Sequence, residues 1–122
     1  MTIQECYEKM GGDYAQVEKR LPSAALIQKF AAKFLDDASF SQLCAAMREG
    51  NRADAFRCAH TLKGVCGNLS FRKLLTSVSQ LTELLRPETD VICDDAFVCM
   101  QEVERDYALT ASAIREHLAS GK

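Results

Sequence analysis

The chain has 122 residues, of which 48% are hydrophobic and 26% charged, and its formal net charge at pH 7 is −2. This length and composition predict a single globular domain, residues 1–122, with a core of its own. The nearly balanced charge argues against nucleic acid or an anionic membrane as a partner, and no apolar run reaches the roughly 20 residues of a membrane span.

Helical spacing of the apolar residues dominates the sequence, and no segment alternates as a strand would. The first predicted helix runs from about Ile3 to Met10 and ends at two glycines. Asp13 then caps a short helical segment, and Pro22 suits the first turn of a third helix. The apolar stripe predicted for this third helix is Ala25, Leu26, Phe30, Phe34 and Leu35.

Asp36 and Asp37 are expected to end the third helix. The fourth predicted helix ends at Gly50, which suits the position just after a helix. Its apolar residues are Phe40, Leu43, Cys44 and Met47. Asn51 is predicted to cap a fifth helix, and Asp54 three residues later makes the pattern close to a capping box.

Ser70 interrupts the helical pattern, and a sixth helix is predicted up to Arg86 and Pro87. The apolar residues of this helix are Phe71, Leu74, Leu75, Val78, Leu81, Leu84 and Leu85. After Thr89 and Asp90, a long seventh helix carries Val91, Ile92, Phe97, Met100, Val103, Tyr107, Ile114 and Leu118. Short connections between amphipathic helices predict an all-α fold, an antiparallel up-and-down four-helix bundle with additional short N-terminal helices.

Six cysteines could suggest a disulfide framework; they are Cys6, Cys44, Cys58, Cys66, Cys93 and Cys99. The N-terminus lacks the apolar segment of a signal peptide, so we expect a cytoplasmic protein with free, mostly buried thiols. No C-x-x-C pair occurs, so a zinc site has no local signature.

The most informative segment of the fifth predicted helix is Ala59–Leu69, because it holds two glycines. Each glycine inside a helix costs about 1 kcal/mol relative to alanine, which suggests that something must approach the backbone closely. Since residues advance about 100° around a helix, Gly67 and Gly64 fall within about 40° of His60. Lys63 lies about 60° from the histidine, one turn along. The histidine is therefore expected to be exposed beside two residues without side chains, where another macromolecule can reach it.

The opposite side of this helix is apolar, and its residues are Ala55, Cys58, Ala59, Leu62, Val65, Cys66 and Leu69. The two cysteines of that set point away from His60, which excludes a thiolate–imidazolium pair within the helix. His60 has no histidine or carboxylate three or four residues further on, so no metal site is indicated. No glycine-rich phosphate loop occurs, so we expect neither ATP chemistry nor an enzyme with its own nucleotide site.

What remains for His60 is a role as nucleophile towards phosphorus, because an exposed imidazole is largely neutral at pH 7. Lys63 can offset the charge of a phosphorylated ring, roughly −1.5 to −2, and Arg57 can assist from the preceding turn. Phe56, on the same side, is predicted to be an exposed anchor for a partner's apolar patch, unless its ring folds over the neighbouring helix. His117 lies in the last turn of the last helix, where an imidazolium favours the helix dipole, and no function is assigned to it.

The run His60–Gly64 (HTLKG), followed by small residues and then Asn68 and Leu69, resembles the histidine-containing phosphotransfer (HPt) domains of two-component phosphorelays. The resemblance extends through residues 10–13, residues 34–37 and the break at residues 50–51. It implies an antiparallel four-helix bundle whose exposed histidine accepts a phosphoryl group from an aspartyl phosphate on a response-regulator receiver domain and passes it to another receiver. Val65 is bulkier than the usual small residue, and Ser70 stands where glycine often ends the helix.

Carried over to this chain, the resemblance makes His60 the phosphoacceptor and Lys63 its charge partner. Gly64 and Gly67 give clearance for docking, on a face that also carries Phe56 and Arg57. The implied partners are receiver domains and a hybrid histidine kinase, with Mg²⁺ on the receiver and no cofactor or metal on this chain.

Two further expectations concern the state of the chain and its role. We expect a monomer, and the initial Met1 and the absence of a linker favour a free-standing protein. An alternative function is a phosphorylation-silent adaptor that binds receivers without carrying phosphate. The presence of both His60 and Lys63 argues against the adaptor, because it could lose either residue without penalty.

Overall fold

The computed structural model describes residues 1–88 and 90–120, and within them it contains seven α-helices and no strand. The helices are α1 (Ile3–Met10), α2 (Tyr14–Arg20), α3 (Ala24–Phe34), α4 (Ser39–Glu49), α5 (Arg52–Leu69), α6 (Arg72–Leu84) and α7 (Asp94–Ser120). The predicted all-α class is therefore confirmed.

Helices α4 to α7 form the bundle, since each packs most extensively against the next one in the chain. Two-residue connections join α4 to α5 and α5 to α6, which makes these neighbours antiparallel. Phe40 of α4 stacks on Tyr107 of α7 with ring centroids 3.8 Å apart, which brings the first and last helices of the bundle together. Helices α1 and α3 pack on α7, and α3 also contacts α5. The expected bundle with short N-terminal helices is confirmed.

The start of α5 is set by the predicted cap. Gly50 ends α4 in the left-handed conformation, with φ of 70°, which glycine adopts without strain. Asn51 then accepts a hydrogen bond from the Asp54 amide through its side-chain oxygen, at 3.1 Å. This bond satisfies one of the free amides of the first turn and defines where α5 begins.

Ser70 ends α5 in the left-handed conformation, with φ of 56°. Residues with a Cβ seldom adopt this backbone, because the Cβ crowds the following carbonyl. Here the Ser70 hydroxyl donates to Gln16 Oε1 at 2.8 Å, and the Ser70 carbonyl accepts from the Asp13 amide at 2.8 Å. These bonds to the N-terminal segment hold a serine where glycine is more usual.

The N-terminal segment fits closely against this end of α5. The Tyr7 hydroxyl donates to the Leu69 carbonyl at 2.7 Å. A Cβ on Gly12 would lie 2.7 Å from Tyr7 Cδ2 and 3.2 Å from the Ser70 carbonyl oxygen. Gly12 is therefore required by close packing, and the first 13 residues help to position the helix that carries His60.

The apolar stripe predicted for α3 is correct at Phe34 but wrong at three of its other positions. Ala25, Leu26 and Phe30 are exposed, whereas the buried residues of α3 are Ile27, Ala31 and Phe34. The Phe34 ring packs 5.0 Å from Phe71 and 5.6 Å from Tyr107, measured between centroids, and these contacts select the buried face. Pro22 is also misplaced, because the cap of α3 is Ser23 and the proline precedes it.

The predicted start of α7 is also wrong. The helix begins at Asp94, so Val91 and Ile92 belong to the connection from α6, where Ile92 is nevertheless buried. Phe97 and Leu118, expected on the apolar face, are each 44% exposed. Thr89, at the predicted break, lies outside the described residues.

His117 is buried, with only 5% of its area exposed. Its Nδ1 lies 3.0 Å from the Met1 carbonyl oxygen. Since a carbonyl only accepts hydrogen bonds, Nδ1 donates, and the residue ties the last turn of α7 to the N-terminus. His117 lies in the last turn of α7, as predicted, and it also forms this structural hydrogen bond.

The six cysteines are free, as predicted. Cys6, Cys58 and Cys66 are buried, Cys44 and Cys99 are partly buried, and Cys93 is exposed. Burial raises the pKa of the Cys66 thiol to about 12 and that of Cys6 to about 11, so both stay protonated as small apolar groups. None of the described helices has the length and hydropathy that a membrane span requires.

We predict that Gly12→Ala lowers the free energy of unfolding by about 1–3 kcal/mol, because the new methyl group overlaps Tyr7 and the Ser70 carbonyl. Urea denaturation of the variant and the parent measures this loss. Gly67→Ala serves as the control, since a Cβ there meets no atom within 4 Å. Equal midpoints for Gly12→Ala and the parent would contradict the packing role.

Candidate functional site

His60 lies in the middle of α5 on the face turned away from the bundle, and its side chain is exposed. The opposite face is buried, and its buried residues are Ala55, Cys58, Ala59, Leu62, Cys66 and Leu69. Val65, which was predicted on this apolar face, is only partly buried. The predicted division of α5 into a core face and a histidine face is confirmed for the other residues.

The backbone beside His60 is open at both glycines. Gly64 is exposed and Gly67 is half-buried, and a Cβ added at either position would meet no atom within 4 Å. Packing within the fold therefore requires neither glycine. Because neither residue has a side chain, another molecule can approach the backbone next to the imidazole closely.

Lys63 supplies a positive charge one turn from His60. Within the described chain, no hydrogen bond or ion pair shorter than 4 Å engages its ammonium group. Hydrogen bonds from Arg86 hold the pKa of the Glu83 carboxyl below its ordinary value, and the charge of Lys63 acts in the same direction. The lysine thus lies near an acidic group without a close bond to it, so its donors remain available.

Phe56 is half-buried, so its ring is less exposed than predicted, and the alternative that it packs towards its neighbours holds in part. The ring packs against the core on one side, and its centroid lies 6.1 Å from that of the His60 imidazole. Arg57, on the same turn, is exposed and forms a 3.6 Å ion pair with Asp54. Both residues lie beside the histidine as predicted, but Phe56 presents only part of its ring.

A shallow cleft of about 380 Å³ opens beside the imidazole, lined by Phe56, Arg57, His60, Thr61 and Arg86. Arg86 lies beyond the end of α6, and its guanidinium carbon is 5.8 Å from the Phe56 centroid. Sequence reasoning used Arg86 only as the end of a helix, because nothing in its local pattern relates it to the histidine. The antiparallel packing of α6 on α5 brings the two together.

Arg20 is a second residue that sequence reasoning missed. Its Nη1 donates to the Gly67 carbonyl at 2.6 Å and to the Asn68 carbonyl at 3.2 Å. The last carbonyls of a helix lack partners within it, and a cation there is favoured by the helix dipole. The arginine of α2 therefore closes the end of α5 from the side.

The arrangement suits an anionic group that reacts with the imidazole. An exposed histidine, an adjacent lysine and two arginines at the cleft provide a nucleophile surrounded by positive charge. No cluster of three or more His, Cys, Asp or Glu side chains suited to a metal occurs in the described ranges.

We predict that Gly64→Ala raises the free energy of unfolding by up to about 1 kcal/mol, since alanine favours helix and the added methyl group meets no atom. Urea denaturation with an unchanged slope measures the gain. A loss of stability would show that Gly64 serves helix packing after all.

Among known protein families, the model described as Hpt domain matches residues 25–118. The matched range begins within α3, includes α4 to α6 with His60 and Lys63, and ends in the last turn of α7. It leaves out α1 and α2, which position the end of α5. No curated protein and no solved structure matches the chain.

Proposed function

The chain belongs to the Hpt domain family, whose members are phosphocarrier modules of phosphorelays, and on this basis we propose that it carries a phosphoryl group on His60. The observation that best supports the assignment is the setting of this imidazole. It is exposed, lies beside open glycine backbone, and has the unpaired Lys63 one turn away.

The proposed step is a transfer between two side chains. The unprotonated nitrogen of His60 attacks the phosphorus of an aspartyl phosphate on a receiver domain. As the N–P bond forms, the P–O bond breaks and its electron pair leaves with the aspartate carboxylate, while the other ring nitrogen keeps its proton. In the next transfer a second receiver's carboxylate attacks the phosphorus, and the imidazole leaves as the neutral base.

Each residue of the site has a share in this step. Lys63 offsets the negative charge of the phosphoryl group that the ring receives, roughly −1.5 to −2 at neutral pH. Gly64 and Gly67 allow the receiver to bring its aspartate into line with the imidazole, because neither places a side chain in its way. Arg57 and the exposed part of Phe56 complete the docking face.

The partners supply the metal ion and the phosphoryl group that the transfer requires. Mg²⁺ belongs to the receiver, where it would neutralise charge on the transferring group. The proposed partners are response-regulator receivers and a hybrid histidine kinase that feeds the relay, since Hpt domains interact with receivers and kinases. The domain acts as a monomer and does not itself supply a nucleotide site.

We predict that His60→Gln folds like the parent but takes up no phosphate from a phosphorylated receiver. The side chain is exposed, so its replacement leaves the core intact. Acid-labile, base-stable radiolabel on the chain measures transfer. The chain has two histidines, and His117→Gln is the control: it removes the buried imidazole, lowers stability, and retains labelling wherever circular dichroism shows a folded protein.

The adaptor alternative gives a different outcome in the same assay. If the parent binds the receiver but acquires no label, the chain is a phosphorylation-silent binding module. If His60→Gln is still labelled, another residue accepts the phosphoryl group and the assignment fails.

We predict that Gly64→Gln folds at least as well as the parent but transfers phosphate at least about tenfold more slowly, because a misplacement of about 1 Å can cost a hundredfold in rate. Rapid-quench measurement of transfer from a phosphorylated receiver tests the rate. Ala108→Gln, at an exposed position of α7, controls for a surface glutamine as such. Unimpaired transfer by Gly64→Gln would contradict the docking face.

A further inference from the structure

Arg86 shares a cleft with His60 although it belongs to another helix end. We propose that Arg86 binds the phosphoryl group once His60 carries it, exchanging the Glu83 carboxylate for phosphoryl oxygens. This inference rests on the phosphoacceptor role proposed above and adds a second phosphoryl-binding residue to it.

Both groups lie against the same aromatic ring. The Phe56 centroid is 6.1 Å from the centre of the His60 imidazole and 5.8 Å from the Arg86 guanidinium carbon. Phe56 is half-buried and packed against the core, so it provides a fixed surface between them. A phosphoryl group on the imidazole would enter the cleft that the guanidinium already lines.

The present partner of Arg86 is the Glu83 carboxylate, which offers two acceptor oxygens to the guanidinium, as a phosphoryl group also can. Its Nε donates to Glu83 Oε1 and its Nη2 to Glu83 Oε2, both at 2.9 Å. This two-pronged geometry is the one that guanidinium also uses on phosphoryl oxygens. The arginine is therefore already oriented for planar recognition of an anion.

Breaking the ion pair between Arg86 and Glu83 costs less free energy than the contact with the phosphoryl group contributes. The side chains of Arg86 and Glu83 are 52% and 59% exposed, and ion pairs between exposed side chains contribute little to stability. A phosphoryl group carries more charge than a carboxylate and has three acceptor oxygens. The guanidinium therefore prefers the phosphorylated histidine once it forms, and Glu83 is left to solvent and to the nearby charge of Lys63.

Phosphorus NMR of the protein phosphorylated with phosphoramidate tests this without a receiver. A cation in contact with the phosphoryl group opposes protonation of the phosphohistidine, so we expect Arg86→Met to raise by about 0.5 the pKa at which its phosphorus resonance titrates. The same loss should lower the fraction of phosphohistidine at equilibrium with a phosphorylated receiver by about threefold. A role of Arg86 in the fold alone would move neither quantity.

The partner exchange makes a prediction of opposite sign for Glu83. Glu83→Gln frees the guanidinium, so it should lower the phosphohistidine pKa by about 0.3. In the Arg86→Met background the same substitution should have less than half of that effect, because no guanidinium remains to be released. Equal effects in both backgrounds would overturn the exchange and leave Glu83 acting only by its own charge.

The chain offers a matched control on α7. Arg105 and Glu102 form an ion pair of the same spacing, also at 2.9 Å and also largely exposed. Arg105→Met should leave the phosphohistidine pKa and the transfer equilibrium unchanged. If Arg57→Met shifts this pKa and the equilibrium while Arg86→Met does not, the inference fails. The second phosphoryl-binding cation is then Arg57, which pairs with Asp54.

The two proposals fail in different ways. If phosphoramidate and receivers leave the parent His60 unmodified, the phosphocarrier function itself is wrong. If the parent and Arg86→Met carry phosphohistidine with the same pKa and the same equilibrium, only the role of Arg86 is wrong.

Discussion

The burial of one face of α5 is the constraint on which the rest of the structure depends. Leu62 and Cys66 are fully buried, and α4 and α6 pack on the helix from either side. With its apolar face held against these neighbours, the helix cannot rotate without exposing that face to water. The side opposite the core must then face solvent, and His60 is on it.

The openness of the histidine face has a cost in stability that the ends of α5 offset. Two interior glycines cost about 2 kcal/mol together relative to alanine. Asn51 caps the start of the helix, and Arg20 closes its last carbonyls. The donor of these last bonds lies on α2, outside the range matched by the family model. The short N-terminal helices thus contribute to the site by fixing the helix that bears it.

The charges around His60 are arranged so that two of the three neighbouring cations have carboxylate partners. Arg57 pairs with Asp54, and Arg86 pairs with Glu83. Lys63 has no such partner in the described structure. All of these groups are at least partly exposed, so their mutual attraction is screened by water and salt. Such a surface can accept an additional dianionic group with little rearrangement of the fold.

The sequence by itself determined the helical class, the bundle, the two faces of α5 and the caps at Gly50 and Asn51, because periodicity and capping are local properties. It placed His60, Lys63, Gly64 and Gly67 on the face of α5 opposite the core, since all four belong to one helix.

Only the tertiary structure decided which face of α3 is buried and how far the Phe56 ring is covered, since both depend on contacts with other helices. The same is true of His117 at Met1 and of Arg86 beside His60. These pairs are distant in the chain and are joined by the packing of helices. Local patterns specify a helix and its faces, whereas the partner of each face is chosen by the fit of all the helices together.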